Sequence, residues 1–409
     1  MTDVRGRTTS TWLVALLVLV VAMSSACGAT GDTGALADQP TPIPNADVSG
    51  SGPGSLISAS SMPVFSRSPG GRSVDAARVV YRSTNGDTGQ QTVVSGSVFV
   101  PKGDAPTGGW PVISFGHGTT GLDEPCGPSL SDNLLGFSTI VDAYVSKGYA
   151  VALADYQGLG SPGVHPYTDS KTAGLNMIDA VRALRHTFDH VSTRWAAVGG
   201  SQGGGAAWAA DEQAATYAPE LDLVGAVAYV PAADVTGLVD KAVAGTMTND
   251  QSLAFEAIVE SLARLHPDVD RDDYRRGAAV TYWDVLSACS GPKAASRATA
   301  AAAVGSRDFT PATPAAAEHL RALLRAWALP QQRLAAPLSV TYGGRDEFID
   351  AQWTTDAIAR ACALGGNVVW ELQPDKGHGD VDVASRFDWI ADRFAGKPAV
   401  NQCPPSGGG

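Results

Sequence analysis

The 409-residue sequence predicts an α/β fold: a doubly wound, mostly parallel sheet of about eight strands with a helical cap inserted late in the chain. Three observations lead there. Short apolar runs alternate with helix-length stretches, as buried parallel strands alternate with their crossover helices. One interval, residues 233–335, breaks that alternation and is itself helical by period. A serine, an aspartate and a histidine each stand just after one of the apolar runs. A hydrophobic content of 44% supplies a substantial core. The balance of 29 Lys+Arg against 41 Asp+Glu gives a net charge of −12, with no basic patch, which argues against a nucleic-acid partner.

Residues 1–27 place Arg5 and Arg7 ahead of an apolar run over residues 12–23, then Ser24, Ser25 and Ala26, the order of a secretory signal peptide. That run is shorter than the roughly 20 residues that span a bilayer comfortably. Cys27 stands at the cleavage point before Gly28, a context that resembles a bacterial lipoprotein processing site, although Ser24 replaces the usual Leu. Lipid attachment at Cys27, giving membrane contact, is therefore one expectation, and plain secretion is the other. Residues 28–62 are rich in Gly, Ser, Thr, Pro and Asp and read as a flexible linker.

Strand-like runs at 77–83 and 92–100 flank Asn85-Gly86 and read as an antiparallel hairpin. Further runs follow at 112–115, 150–154, 195–198, 224–230, 338–342 and 368–372, with helix-like segments at 134–146, 171–188, 202–214, 351–364 and 382–394. The α/β core is expected to comprise residues 63–232 and 336–403, with 233–335 as the cap. Within the cap, Phe255, Ile258, Leu262 and Leu265 form one apolar stripe, and Leu320, Leu323, Leu324 and Trp327 another. These stripes are expected to cover a binding cleft above the strand ends, with cap movement gating access. The acidic run Asp268, Asp270, Asp272 has Asp273 and Ala279 where a calcium loop needs Gly and Glu, so no metal is expected.

Gly199-Gly200-Ser201-Gln202-Gly203 matches G-x-S-x-G, a weak signal in a chain with 46 glycines. Its position supplies the specificity, because it links a strand to a helix as a nucleophile elbow does. A serine hydroxyl needs a base within hydrogen-bond reach and a group to orient that base. His378 lies in a Gly-containing loop after the last strand, whereas His186, His190, His266 and His319 sit on or near helices and His165 lies in a Pro/Gly-rich loop. Asp346 follows the seventh strand, with Glu347 and Asp350 as substitutes. The chain order Ser201, Asp346, His378 is that of an α/β-hydrolase. For the oxyanion, one donor is the Gln202 N–H at the helix start. The second comes from Asp155, in Asp155-Tyr156-Gln157-Gly158, or from Gly118, in Gly116-His117-Gly118-Thr119-Thr120.

On these residues the sequence resembles the secretory lipase family, α/β-hydrolases with a large helical cap that include the yeast lipase A type. The resemblance covers about residues 75–403 and rests on the D-Y-x-G segment at Asp155, the elbow extended by Gly204, the G-x-x-D ending at Asp346, and the G-H at His378. It implies Ser201, Asp346 and His378 as the triad, with Asp155 and Gln202 as the oxyanion hole. An acyl ester or lipid would be the substrate, an acyl-enzyme the intermediate, and no cofactor would be required. Acyl transfer and peptide hydrolysis remain alternatives on the same scaffold, and a non-enzymatic envelope lipoprotein would require a broken triad. The cysteines bracketing the histidine, Cys362 and Cys403, are expected to pair, which leaves Cys126 for Cys289, one of three connectivities open to four cysteines. Cys126 departs from the family pattern, in which that cysteine follows the Asp155 segment. The sequence leaves the oligomeric state open.

Overall fold

A computed structural model describes residues 39–405. The expected signal peptide, with Cys27, lies outside the described residues. Nine strands form one sheet: β1 (Leu56–Ser61), β2 (Val74–Thr84), β3 (Gln91–Pro101), β4 (Trp110–Gly116), β5 (Ala150–Ala154), β6 (Val191–Gly200), β7 (Asp222–Tyr229), β8 (Leu338–Gly343) and β9 (Val368–Gln373). Their spatial order is β1-β2-β3-β5-β4-β6-β7-β8-β9. The first four in that order pair antiparallel and the rest parallel. In the centre, Ile113 of β4 lies level with Val151 of β5 and Ala196 of β6, and all three are buried, as strands covered on both faces must be.

The helices are α1 (Pro63–Arg67), α2 (Ser138–Val145), α3 (Ser170–Thr187), α4 (Gln202–Tyr217), α5 (Gly237–Ala244), α6 (Asn249–Leu265), α7 (Ala278–Leu286), α8 (Gly291–Ala303), α9 (Pro314–Trp327), α10 (Ala351–Ala363) and α11 (Ala384–Phe394). The first thirteen residues of α4, Gln202 through Ala214, are buried, which makes it a central helix. Tyr144 of α2 packs its ring 5.0 Å from Phe387 of α11.

The ninth strand corrects the linker boundary. Within residues 28–62, β1 pairs antiparallel with β2, setting Ala59 opposite Val79, and Ile43 donates its N–H to the Ala59 carbonyl. Only Leu56 and Ala59 of β1 are buried. Two apolar anchors among serines give too weak an alternation to read as a strand, yet they suffice to cover the edge of β2.

Helices α5–α9 form the insertion. The stripes expected to line a cleft instead close on one another: Phe255, Ile258, Leu262, Leu320 and Leu324 are buried in a cluster with Trp283 and Phe309, separate from the core around the sheet. Leu122 and Tyr167, from loops beyond β4 and β5, are buried in the same cluster and seat the cap on the sheet. The acidic run serves local structure, with Asp270 accepting the Asp272 N–H, Asp272 paired to Arg275 and Asp268 facing His319.

Two disulfides join Cys126 to Cys289 and Cys362 to Cys403. The first ties the loop after β4 to the cap. The second ties the end of α10 to the C-terminal tail, which covers the outer edge of β9 as Gln402 donates its N–H to Val368 and accepts from the Trp370 N–H.

Candidate active site

Ser201 sits between β6 and α4 at φ +59° and ψ −120°, a region that L side chains rarely occupy. The surroundings enforce this. Its N–H donates to the Tyr229 carbonyl at 2.9 Å, and its carbonyl accepts from Gly204, Gly205 and Ala232. The turn is too tight for side chains on either flank, since a Cβ on Gly199 would stand 2.0 Å from the Gly203 carbonyl oxygen and one on Gly203 would stand 2.0 Å from that of Gly116.

His378 Nε2 lies 2.9 Å from Ser201 Oγ, and His378 Nδ1 lies 2.7 Å from Asp346 Oδ2. The other carboxylate oxygen, Oδ1, accepts the N–H groups of Phe348 at 2.8 Å and Ile349 at 2.9 Å. With Asp346 as acceptor, the imidazole proton belongs on Nδ1, and Nε2 faces the serine with a lone pair. The Asp346 side chain is 2% exposed and that of His378 22%, so the carboxylate is shielded while the imidazole stays accessible. The Phe348 ring stacks on the imidazole at 5.0 Å. The loops after β8 and β9 interlock: Gly344 donates its N–H to Gln373 and Arg345 to Lys376. A Cβ on Gly343 would come within 2.4 Å of the Lys376 carbonyl oxygen.

Neither substitute for the acid faces the imidazole in place of Asp346. Asp350 Oδ1 accepts from Lys241 Nζ and Gln251 Nε2, each at 2.8 Å, whereas Glu347 is exposed, its main-chain carbonyl accepting from Thr248 Oγ1 at 2.7 Å while His378 Nδ1 faces Asp346.

Of the candidate oxyanion donors, Gln202 is the first residue of α4, where a backbone N–H has no intrahelical acceptor. Gly118 runs beside the serine, since a Cβ built on it would lie 3.9 Å from Ser201 Cβ. Asp155 is a different case. Its N–H donates to the Ser95 carbonyl at 2.9 Å. Its carboxyl accepts from Ser95 Oγ at 2.6 Å and from the Ser129 N–H at 2.8 Å, and burial raises its pKa above the usual carboxylate range. Its backbone N–H is therefore already bonded, one residue beyond the β3–β5 pairing, which ends at Ala154.

Two histidines passed over in the sequence support this region. His117 is buried, with Nδ1 2.7 Å from the Gly118 carbonyl oxygen, Nε2 3.1 Å from that of Asp155, and its ring stacked on Tyr156 at 4.3 Å. His165 Nδ1 donates to the Gln157 carbonyl, which leaves Nε2 to accept from Gln202 Nε2 at 2.9 Å. Burial pulls its pKa down to about 3 and keeps it neutral. Both follow strand ends in Gly-containing loops, the signal that also marked His378; burial is what separates them.

The secretory lipase family model matches residues 136–402. A Mycobacterium tuberculosis protein named "Probable inactive lipase" is 26% identical over 356 residues, covering 80% of this chain and 75% of its own. Among solved structures, Candida antarctica lipase A in its closed state aligns with a TM-score of 0.67 at 19% identity, covering 86% of this chain and 84% of its own. A rice-cell-wall-degrading esterase of Xanthomonas oryzae aligns at 0.64 and 19% identity, covering 84% of this chain and 97% of its own. The shared architecture is the α/β-hydrolase fold.

Proposed function

Because the chain belongs to the secretory lipase family, we propose that it is an exported carboxylic-ester hydrolase that works through an acyl-enzyme on Ser201. One observation carries the reading: the unbroken hydrogen-bond chain from Ser201 Oγ through His378 to Asp346. As Oγ attacks the ester carbonyl, His378 Nε2 takes its proton, and Asp346 holds the resulting imidazolium in place. The N–H groups of Gln202 and Gly118 receive the developing oxyanion. Gly118 is preferred to Asp155 because its backbone runs beside the serine, while the Asp155 N–H is bonded to Ser95. Collapse of the tetrahedral intermediate passes the proton to the leaving alcohol, and water, activated by the same histidine, releases the acid. These steps require no metal or organic cofactor.

The word inactive in the name of the Mycobacterium tuberculosis relative describes that protein. In this chain all three residues are present and hydrogen-bonded to one another. Export is supported by the leader-like order of residues 1–27 and by the family's description as secretory. Lipid attachment at Cys27 would hold the enzyme at the envelope, close to acyl lipid substrates. Labelling by a fluorophosphonate, together with hydrolysis of a p-nitrophenyl ester series, tests the reading. The wild type should label and turn over, and Ser201→Ala should do neither. A wild type inert to both would overturn it.

A further inference from the structure

The cap grips the loop that carries the candidate catalytic acid. Thr248, the N-cap of α6, donates its hydroxyl to the Glu347 carbonyl at 2.7 Å and accepts the Gln251 N–H at 3.0 Å. Gln251 is fully buried, and both ends of its amide are occupied: Nε2 donates to Asp350 Oδ1, while Oε1 accepts from the Thr248 N–H and from Lys241 Nζ. Lys241 Nζ also reaches Asp350 Oδ1 at 2.8 Å and stands 5.5 Å from the centre of the Trp353 ring. A Cβ on Gly237 would lie 2.4 Å from the Trp353 indole nitrogen, so the start of α5 rests directly on α10.

The anchor points, Glu347 and Asp350, bracket Phe348 and Ile349, whose N–H groups orient Asp346 and of which Phe348 also stacks on His378. We propose that Thr248, Gln251 and Lys241 are positioning residues for the catalytic carboxylate: through Glu347 and Asp350 they fix the two backbone donors that aim Asp346 at His378. This rests on the ester-hydrolase reading and adds that the base of the cap is a fixed part of the catalytic apparatus. Any gating motion then belongs to the cap beyond Gln251, because swinging the base would carry the acid loop with it.

The test compares full-length wild type, Lys241→Met, Thr248→Ala and the double variant. The readouts are the labelling rate of Ser201 by a small fluorophosphonate, which needs no acyl cleft, and kcat and KM for p-nitrophenyl acetate. In labelling, the Oγ–P bond forms, fluoride leaves and the proton passes to His378. The double variant should label and turn over at least about tenfold more slowly with KM nearly unchanged, the scale of a sub-ångström misplacement. Lys241→Arg and Thr248→Ser should restore most of the rate. Arg297→Met, which loses a bond to the Leu286 carbonyl inside the cap, should lower thermal stability without slowing labelling. If the double variant fails to fold, Lys241→Met is read the same way, since that side chain is part-exposed. Variants that label within about twofold of wild type overturn the proposal while leaving the esterase reading intact, and a wild type that never labels overturns both.

Discussion

Asp346→Asn isolates the role of the buried carboxylate more cleanly than truncation does. The asparagine has two orientations. With its carbonyl oxygen toward Phe348 and Ile349 it keeps both backbone hydrogen bonds, now made to Asp346 Oδ1 at 2.8 and 2.9 Å. With its NH2 there instead, two buried donors face a donor, at a cost of about 1–3 kcal/mol for each N–H left unpaired. The first orientation therefore wins and turns the NH2 toward His378 Nδ1. The imidazole must then accept on Nδ1 and carry its proton on Nε2, pointing at Ser201 Oγ with no lone pair to receive the serine proton. The expected loss in kcat is about 10⁴-fold, as for the same exchange in other triads, or about 5.5 kcal/mol of transition-state stabilisation. KM and thermal unfolding should change little, because size and backbone bonds are kept. The assay is steady-state hydrolysis of p-nitrophenyl acetate alongside a melting curve. Turnover within tenfold of wild type would show that the acid lies elsewhere, with Glu347 the remaining candidate, since Asp350 is bound to Lys241 and Gln251.

Asp211, wholly buried on α4, accepts the N–H groups of Ala335 and Ala336 where the chain returns from the cap, and burial pushes its pKa up to about 8. The folded state thus keeps a proton that the unfolded chain releases near pH 4, so stability falls as pH rises between those values, by up to about 1.4 kcal/mol per unit. Asp211→Asn keeps the acceptor and removes the titration; denaturant unfolding from pH 5 to 7 should show a flatter decline, and an unchanged slope would refute the assignment. The Cys126–Cys289 bond spans 163 residues of chain. Its removal by a double serine variant should cost about 2–5 kcal/mol in denaturant unfolding, and peptide mapping that found another pairing would contradict the arrangement.

The parts legible in the sequence are those in which local pattern and burial agree. The runs at 112–115, 150–154 and 195–198 became β4, β5 and β6 because strands covered on both faces are almost wholly apolar, Ser114 being the one polar residue in these runs. Ser201, Asp346 and His378 stood out because they stand one, three and five residues past the ends of β6, β8 and β9. What escaped depends on tertiary pairing. β1 shows only Leu56 and Ala59 as buried anchors, and the neighbouring edge, absent from local sequence, makes it a strand. The Asp155 N–H, a candidate oxyanion donor by sequence, is bonded to the Ser95 carbonyl, a pairing with a distant strand that no local pattern shows. The cap stripes at Phe255 and Leu320 had the right period but an unspecified partner, and the partner proved to be one another.

That last point reshapes what removal of the cap should do. The two stems lie side by side, with the Leu329 N–H donating to the Ala233 carbonyl at 2.7 Å and Arg360 bridging Asp234 and the Leu329 carbonyl. A short linker can therefore replace residues 237–327, with Cys126 changed to serine. If the cap only covered an acyl cleft, its loss would raise KM, and more for long chains than short ones: each methylene no longer buried is worth about 0.8 kcal/mol, or about fourfold, so an ester four methylenes longer than acetate should suffer on the order of a hundredfold more. If the cap also positions the acid through Thr248, Gln251 and Lys241, kcat should fall for both esters alike, because the carboxylate is misplaced whatever the chain length. The two effects separate in one experiment, with hydrolysis of p-nitrophenyl acetate and hexanoate measured on the same preparation. A KM penalty equal for the two esters would mean that the cap does not form the acyl site, and an unchanged kcat in a folded variant would mean that the acid loop holds its shape without it.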